Sequence, residues 1–435
     1  MPNATRKQLR VFIGIRETAG YFRGLERGFA DIGINARFYN LSPNPFGYGG
    51  QGRQSVAARV LRLRDAPPRT WRARAWALAL LLNRTARSMR TAFLLPWALI
   101  RYDAFVLGGD QRLLGGLELP LMRALKRPVV FVFNGTDHRP PYLSGRWIRQ
   151  SEVVGTQRMA RDTRIAFQRV KQAERYAAAI VALPSSAQFH ELPFVNFLAA
   201  GIPVAPNPNA VQDQPASRGN GVVRVLHAPS YPIFKGTEVI RRAVDDIRRQ
   251  GVQIEYREIS GKPHAEVLSA LRWADFVVDQ VYSDTPMAGF VTEAAHYGKP
   301  AVIGGYYARH LPQEVPPDHV PPSLFCLPDE LPQALATMAT DKEFRLRMGT
   351  SARQWVTERW SPAAVAGRFV RLLAGEIPDE WMVEPKNLSY ALGWGVPEGE
   401  VRRALTRFVA DHGVEALRLA HNPRLQQSVL ALTYP

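Results

Sequence analysis

Val222-Val223-Arg224-Val225-Leu226-His227-Ala228-Pro229-Ser230-Tyr231-Pro232-Ile233-Phe234-Lys235-Gly236-Thr237-Glu238 decides the fold. A β-rich run ends in small residues and a proline, and a helical pattern then runs from Thr237 to Gln250. Downstream the alternation continues, with strands at Gln253 to Ile259, Phe276 to Asp279 and Ala301 to Gly304, and helices at Ala265 to Trp273 and Phe290 to Tyr297. Helical patterns at Asp341 to Arg359 and Pro362 to Leu373 close this half. Upstream, Leu9 to Ile15, a helical pattern through Phe29 that stops at Gly33, and Ala36 to Leu41 form a βαβ opening. Strands at Asp103 to Gly108, Val129 to Phe133 and Ala178 to Leu183 extend it. Strand-helix alternation of this kind implies a parallel sheet covered on both faces, with ligands beyond the carboxyl ends of the strands. The interval from Pro203 through Pro206, Pro208 and Gln212 to Gly221 is rich in proline, glycine and polar residues and reads as a linker. The expectation is α/β with two doubly wound, Rossmann-like domains at 1–210 and 219–375, then a helical extension at 376–435.

Composition sets bounds on function. A chain of 435 residues exceeds the roughly 250–300 at which single cores stop growing, which agrees with two domains. With 46% hydrophobic and 22% charged residues it is ordinary globular protein. Cys326 is the only cysteine, so an intramolecular disulfide and a cysteine-cluster metal site are excluded. The start Met1 to Lys7 lacks the apolar core of a secretory signal, and the longest apolar stretches, Ala77 to Leu82 and Ala92 to Ile100, are too short to span a membrane. A cytoplasmic protein is expected.

The formal charge of +18 calls for anionic partners: nucleotide phosphates, anionic lipid or nucleic acid. From Thr70 to Ile100, Arg72, Arg74, Arg84, Arg87 and Arg90 interleave with Trp71, Trp76, Leu80, Leu81, Phe93, Leu95 and Trp97. This basic amphipathic region either covers the sheet with its arginines in water or lies on an anionic membrane surface. Nucleic acid is not expected, because the aromatics recur at helical spacing and not as a stacking platform on strands.

Two segments carry the chemistry. Lys235-Gly236-Thr237 joins a strand to a helix, where a lysine, a hydroxyl and backbone amides can cradle phosphate, although lysine-glycine is also an ordinary solvated turn. In Asp279 to Pro300 a loop of small residues leads from a strand into a helix. Its amides can face a diphosphate while Glu293 accepts hydrogen bonds from ribose hydroxyls; the plain alternative is a solvated helix glutamate. His227, His264 and His296 have no metal-ligand spacing, and no metal site is expected.

Together these segments resemble the GT-B fold glycosyltransferases of the family 4 kind, most closely over Glu293-Ala294-Ala295-His296-Tyr297-Gly298-Lys299-Pro300-Ala301-Val302. The resemblance covers roughly residues 9–375. It implies transfer of a hexose in glycan biosynthesis from a nucleotide-sugar donor to a glycan, lipid-linked or small-molecule acceptor, with retention, without metal and without any cofactor beyond the donor. It implies that Lys235 and Gly236 bind the donor diphosphate, that the backbone of Ala288, Gly289 and Phe290 approaches it, and that Glu293 holds the ribose. Eight residues before Glu293 stands Thr285 where the family has glutamate, with Asp284 adjacent; five before Lys235 stands Ser230 where the family has arginine. In the first half, the turn Arg16 to Tyr21 with Gly20 matches the family's glycine loop near the donor. Asn134-Gly135-Thr136-Asp137-His138-Arg139 matches a glycine-hydroxyl-acid segment that would put Asp137 and His138 in the cleft as acceptor-orienting or general-base residues. Two other expectations share the fold: a nucleotide-sugar epimerase, and a catalytically degenerate binding protein, the latter suggested by Thr285 and Ser230.

Overall fold

The computed structural model describes residues 9–41, 93–204 and 221–433. Residues 70–92 of the basic region and all but the ends of the proline-rich linker lie outside the described residues. Residues 93–101 are helical.

Strands β1 (Arg10–Ile13), β2 (Asn35–Phe38), β3 (Ala104–Gly108), β4 (Val129–Val132), β5 (Ala179–Ala182) and β6 (Phe194–Asn196) form a parallel sheet. A second parallel sheet contains β7 (Val223–His227), β8 (Ile254–Glu258), β9 (Phe276–Val278), β10 (Ala301–Gly304) and β11 (Leu324–Cys326). From the extension, β12 (Met382–Val383) returns to the first sheet and pairs antiparallel with β6, giving the order β12-β6-β5-β4-β3-β1-β2; the second sheet runs β11-β10-β9-β7-β8. In both sheets the first strand lies between the second and the third. That reversal is the switch point where doubly wound sheets bind ligands.

The central strands are buried on both faces, so each supplies two cores. Phe12, Phe105, Leu107 and Phe131 point to one side of the first sheet, and Val11, Ile13, Val106, Val130 and Val132 to the other. The valine side is continuous with Leu226, Val277, Ala301 and Ile303 of the second sheet, so one apolar cluster joins both domains. The far face of the second sheet packs Val225, Phe276 and Val302 against Ile240, Val244 and Leu335. Two Rossmann-like domains joined in this way are the GT-B arrangement.

The helix Pro362–Ala374, read from sequence as closing the second domain, packs on Tyr21–Asp31 of the first. Glycines make the approach possible: a Cβ on Gly28 would lie 1.9 Å from the Pro362 carbonyl oxygen, and one on Gly24 would lie 1.5 Å from that of Pro203. The extension then covers the outer face of the first domain with Val401, Leu405, Phe408, Leu425 and Val429. Within it, Val414–Leu417 is a 3-10 turn stopped by Arg418 in the left-handed region at φ 57°. No helix among the described residues is long and apolar enough to cross a membrane.

Candidate active site

Loops from the carboxyl ends of the two sheets meet. Ala19, after β1, lies 3.5 Å from where a Cβ on Gly289 would stand. Arg139, after β4, forms an ion pair with Asp284, after β9, and their side chains are only 3% and 5% exposed. The extension joins the same junction, where the Tyr282 carbonyl accepts the Gly395 amide (2.9 Å).

An anion between the domains will favour whichever helix N-terminus is unoccupied. On the first domain the helix Tyr21–Asp31 is already filled: the Glu17 carboxylate accepts the amides of Thr18 (2.8 Å), Phe22 (3.2 Å) and Arg23 (3.1 Å). Glu118 likewise accepts amides of the loop ahead of its own helix, those of Leu113, Leu114 and Gly116. On the second domain, the helix Gly289–His296 starts from Ala288 with no side-chain cap. The Thr292 amide reaches the Ala288 carbonyl (2.9 Å), and the amides of Gly289, Phe290 and Val291 have no acceptor among the described residues.

Glu293, one turn inside, is 8% exposed. Its Oε1 accepts from His264 Nε2 at 2.7 Å, while its Oε2 is buried with no partner. That hydrogen bond raises the pKa of His264 above its ordinary value.

Lys235 ends the short helix Pro232–Lys235, with its Nζ 2.9 Å from Asp279 Oδ1. Its carbonyl accepts the Val281 amide (3.1 Å), which ties the lysine loop to the loop that leads to Gly289. Gly236 has φ 69°, and a Cβ there would meet Val281 at 2.8 Å, so backbone and space both require glycine. Ser230 is exposed. The Thr237 hydroxyl does not join the phosphate cradle expected of it. It is buried and lies 2.9 Å from His227 Nε2, while His227 Nδ1 donates to the Val278 carbonyl (2.9 Å). Burial brings the pKa of His227 down to about 4, so the ring stays neutral and structural.

Thr285 is spent within its own loop: its amide donates to Ser283 Oγ (3.1 Å) and its hydroxyl to the Met287 carbonyl (3.3 Å). The carboxylate nearest to the position vacated by glutamate is Asp284, which Arg139 holds.

On the first domain Gly20 caps its helix at φ 84° and sets the turn in which Ala19 faces Gly289. Asp137 accepts the Asn134 amide (3.0 Å). Burial and the charge of Asp110 raise its pKa to about 7. His138 is fully buried, 3.0 Å from Ser186 Oγ and 3.1 Å from His190, with its ring against Phe133. Burial keeps it neutral, so its ring belongs to the domain interior and not to the open cleft. The sequence reading named Arg139 only as the end of a motif and gave it no role. Its only signal was a cation next to that segment, followed by Pro140-Pro141. Among the described residues no His, Cys, Asp and Glu side chains gather as metal ligands.

No known protein family matches the chain by sequence, and no curated protein does. Solved structures resemble it at low identity. Anabaena HepE in complex with UDP and glucose is 13% identical, with 84% of this chain and 99% of that one covered, at a TM-score of 0.46. S. aureus MnaA with UDP is 12% identical over 85% and 98%, at 0.41. The catalytic domain of Arabidopsis thaliana starch synthase IV, bound to ADP and acarbose, is 12% identical over 67% and 77%, at 0.41.

Proposed function

We propose that this chain is a retaining glycosyltransferase that moves a hexosyl group from a nucleoside-diphosphate sugar to a glycan, lipid-linked or small-molecule acceptor. The observation that carries the reading is Glu293 Oε2, a buried carboxylate oxygen without a partner, one turn inside an uncapped helix N-terminus. Leaving such a group unsatisfied costs about 1–3 kcal/mol or more, and a ribose hydroxyl donating to it removes that cost. The diphosphate then lies on the amides of Gly289, Phe290 and Val291, with Lys235 alongside.

In the reaction the acceptor oxygen bonds to the anomeric carbon, and the bond from that carbon to the diphosphate oxygen breaks. The leaving nucleoside diphosphate takes the electron pair. Lys235 and the helix amides stabilise that charge as it develops, the part a metal ion would otherwise play. The acceptor proton goes to the departing phosphate oxygen on the retaining course; on an inverting course Asp137, with its raised pKa, would take it. The exposed Phe93, Trp97 and Ile100 on the helical residues 93–101 support peripheral contact with an anionic membrane that carries the acceptor.

The test is to incubate the protein with UDP-, GDP- and ADP-sugars, with and without glycan and lipid-linked acceptors, and to follow free nucleoside diphosphate and labelled product. Acceptor-dependent transfer is expected. Conversion of the nucleotide sugar to its epimer without acceptor would contradict the proposal, as would a complete lack of turnover with every donor.

A further inference from the structure

We propose that Arg139 supplies, from the first domain, the second positive charge of the donor diphosphate site. The assignment rests on the nucleotide-sugar reading of the cleft. A nucleoside diphosphate brings at least two negative charges; Lys235 meets them from the second domain, and the position five residues before it, which could add another cation, is the uncharged, exposed Ser230. Lys235 is itself partly neutralised by Asp279 at 2.9 Å.

Other arginines on the facing loops are already engaged. Arg16 pairs with Asp110, and Arg112 donates to the carbonyls of Gly109 (3.0 Å) and Gln111 (2.7 Å) and to Gln172 (3.1 Å). Arg139 differs: Asp284 holds one arm of the guanidinium, while the buried Nε–H has no acceptor. A guanidinium can keep one carboxylate and still present further donors to a phosphate, which a lysine does less well. Burial lowers its pKa only to about 10, so it remains charged near neutrality.

Two ring contacts connect this cation with the loop that carries Lys235. The guanidinium lies 5.7 Å from the ring centroid of Trp394, and that ring is 5.8 Å from Phe234, the residue before Lys235. Trp394 is held by its own backbone, its amide donating to the Leu143 carbonyl (3.1 Å) and its carbonyl accepting the Gly145 amide (2.8 Å). Lys235 and Arg139 thus grip the two ends of one loop, Lys235 at Asp279 and Arg139 at Asp284, just ahead of the uncapped helix. The donor site is then shared across the cleft, and a diphosphate is preferred over a monophosphate only when both domains are in place. Trp394 gives the C-terminal extension a part in this as a positioning residue.

The test is calorimetry with UDP and UMP on the full chain. Arg139→Gln alone strands Asp284 as a buried charge, so the informative variant is the neutral pair Arg139→Gln/Asp284→Asn, checked by its melting temperature. UDP affinity is expected to fall by about tenfold or more, with UMP affinity changed far less, because a charge-assisted contact to the second phosphate is lost. Asp284→Asn alone keeps the arginine and is expected to bind UDP at least as tightly as wild type. If the paired variant binds UDP like wild type while Lys235→Ala still weakens it, the assignment to Arg139 is wrong and the nucleotide site stands. If wild type binds no nucleoside diphosphate at all, the nucleotide-sugar reading and this assignment fall together.

Discussion

Glu293 and Asp137 are carboxylates on opposite sides of the cleft, and the histidine bound to the first and the carboxyl of the second both make stability fall as pH rises. His264, which donates to Glu293, has a pKa raised by that bond. The stability it contributes is therefore fully present below the unfolded histidine pKa and is lost as pH rises through the folded one. The stability gap between wild type and His264→Ala should narrow from pH 5.5 to 8.5 in urea titrations; a constant gap would contradict the assignment. Asp137 has its folded pKa raised to about 7, so the folded state favours the protonated form and wild type loses stability as pH climbs from the ordinary carboxylate range through about 7. Asp137→Asn keeps an oxygen for the Asn134 amide and should gain on wild type over that interval, then level off. The strand ends and helix starts around Glu293 and Lys235 were legible, which is what singled these two residues out. Thr237 and His138 were misjudged because their polar atoms are spent on His227, Ser186 and His190, partners that only the tertiary fold supplies. The Arg139–Asp284 ion pair was unreadable for the same reason, since the partners lie 145 positions apart.

Among the elements, the helix crossing between Tyr21–Asp31 and Pro362–Ala374 makes a paired prediction. Gly28→Ala forces a Cβ to within 1.9 Å of the Pro362 oxygen and should cost about 1–3 kcal/mol, a fall of several degrees in melting temperature. Gly367, in the partner helix, has nothing within 4 Å of the same atom, so Gly367→Ala should hold or raise the melting temperature through helix propensity. Equal effects at both sites would count against this close crossing. Strands of five residues such as β3 and β7 were readable from their apolar runs. β6, β11 and β12, with three, three and two residues, went unread, whereas β9, also of three residues, was read from its unbroken apolar run Phe276-Val277-Val278. The sequence reading placed nothing between Arg139 and Ala178, where the helices Gly145–Val154 and Gln157–Tyr176 stand. The second of these buries Met159, Thr163, Ala166, Val170 and Ala173, mostly small or polar residues that leave a weak apolar stripe.

For the molecule as a whole, the shared valine-side core and the returning extension make the two domains one cooperative unit. Unfolding by calorimetry should show a single transition. A chain ending at Gly375 loses β12 and the side chains of Val401, Leu405, Phe408, Leu425 and Val429 that cover the first domain. Such a chain should aggregate or melt in separate steps; a truncated chain that unfolds like the full one would contradict this coupling. The parallel sheets were legible because alternation of strand and helix survives in local sequence. The extension was legible as helical, with its main helix at Glu398–His412, but its docking face was not, because its apolar residues make sense only against a face presented by residues some 250–300 positions earlier.

The central claim is that the uncapped helix Gly289–His296, Lys235 and Glu293 form a nucleoside-diphosphate site. Calorimetric titration of UDP and GDP into wild type, Lys235→Ala and Glu293→Ala at one fixed salt concentration tests it most directly. The account predicts that wild type binds at least one nucleotide and that each substitution weakens that binding by about tenfold or more. Binding unchanged in both variants, or no binding by wild type to either nucleotide, would contradict it.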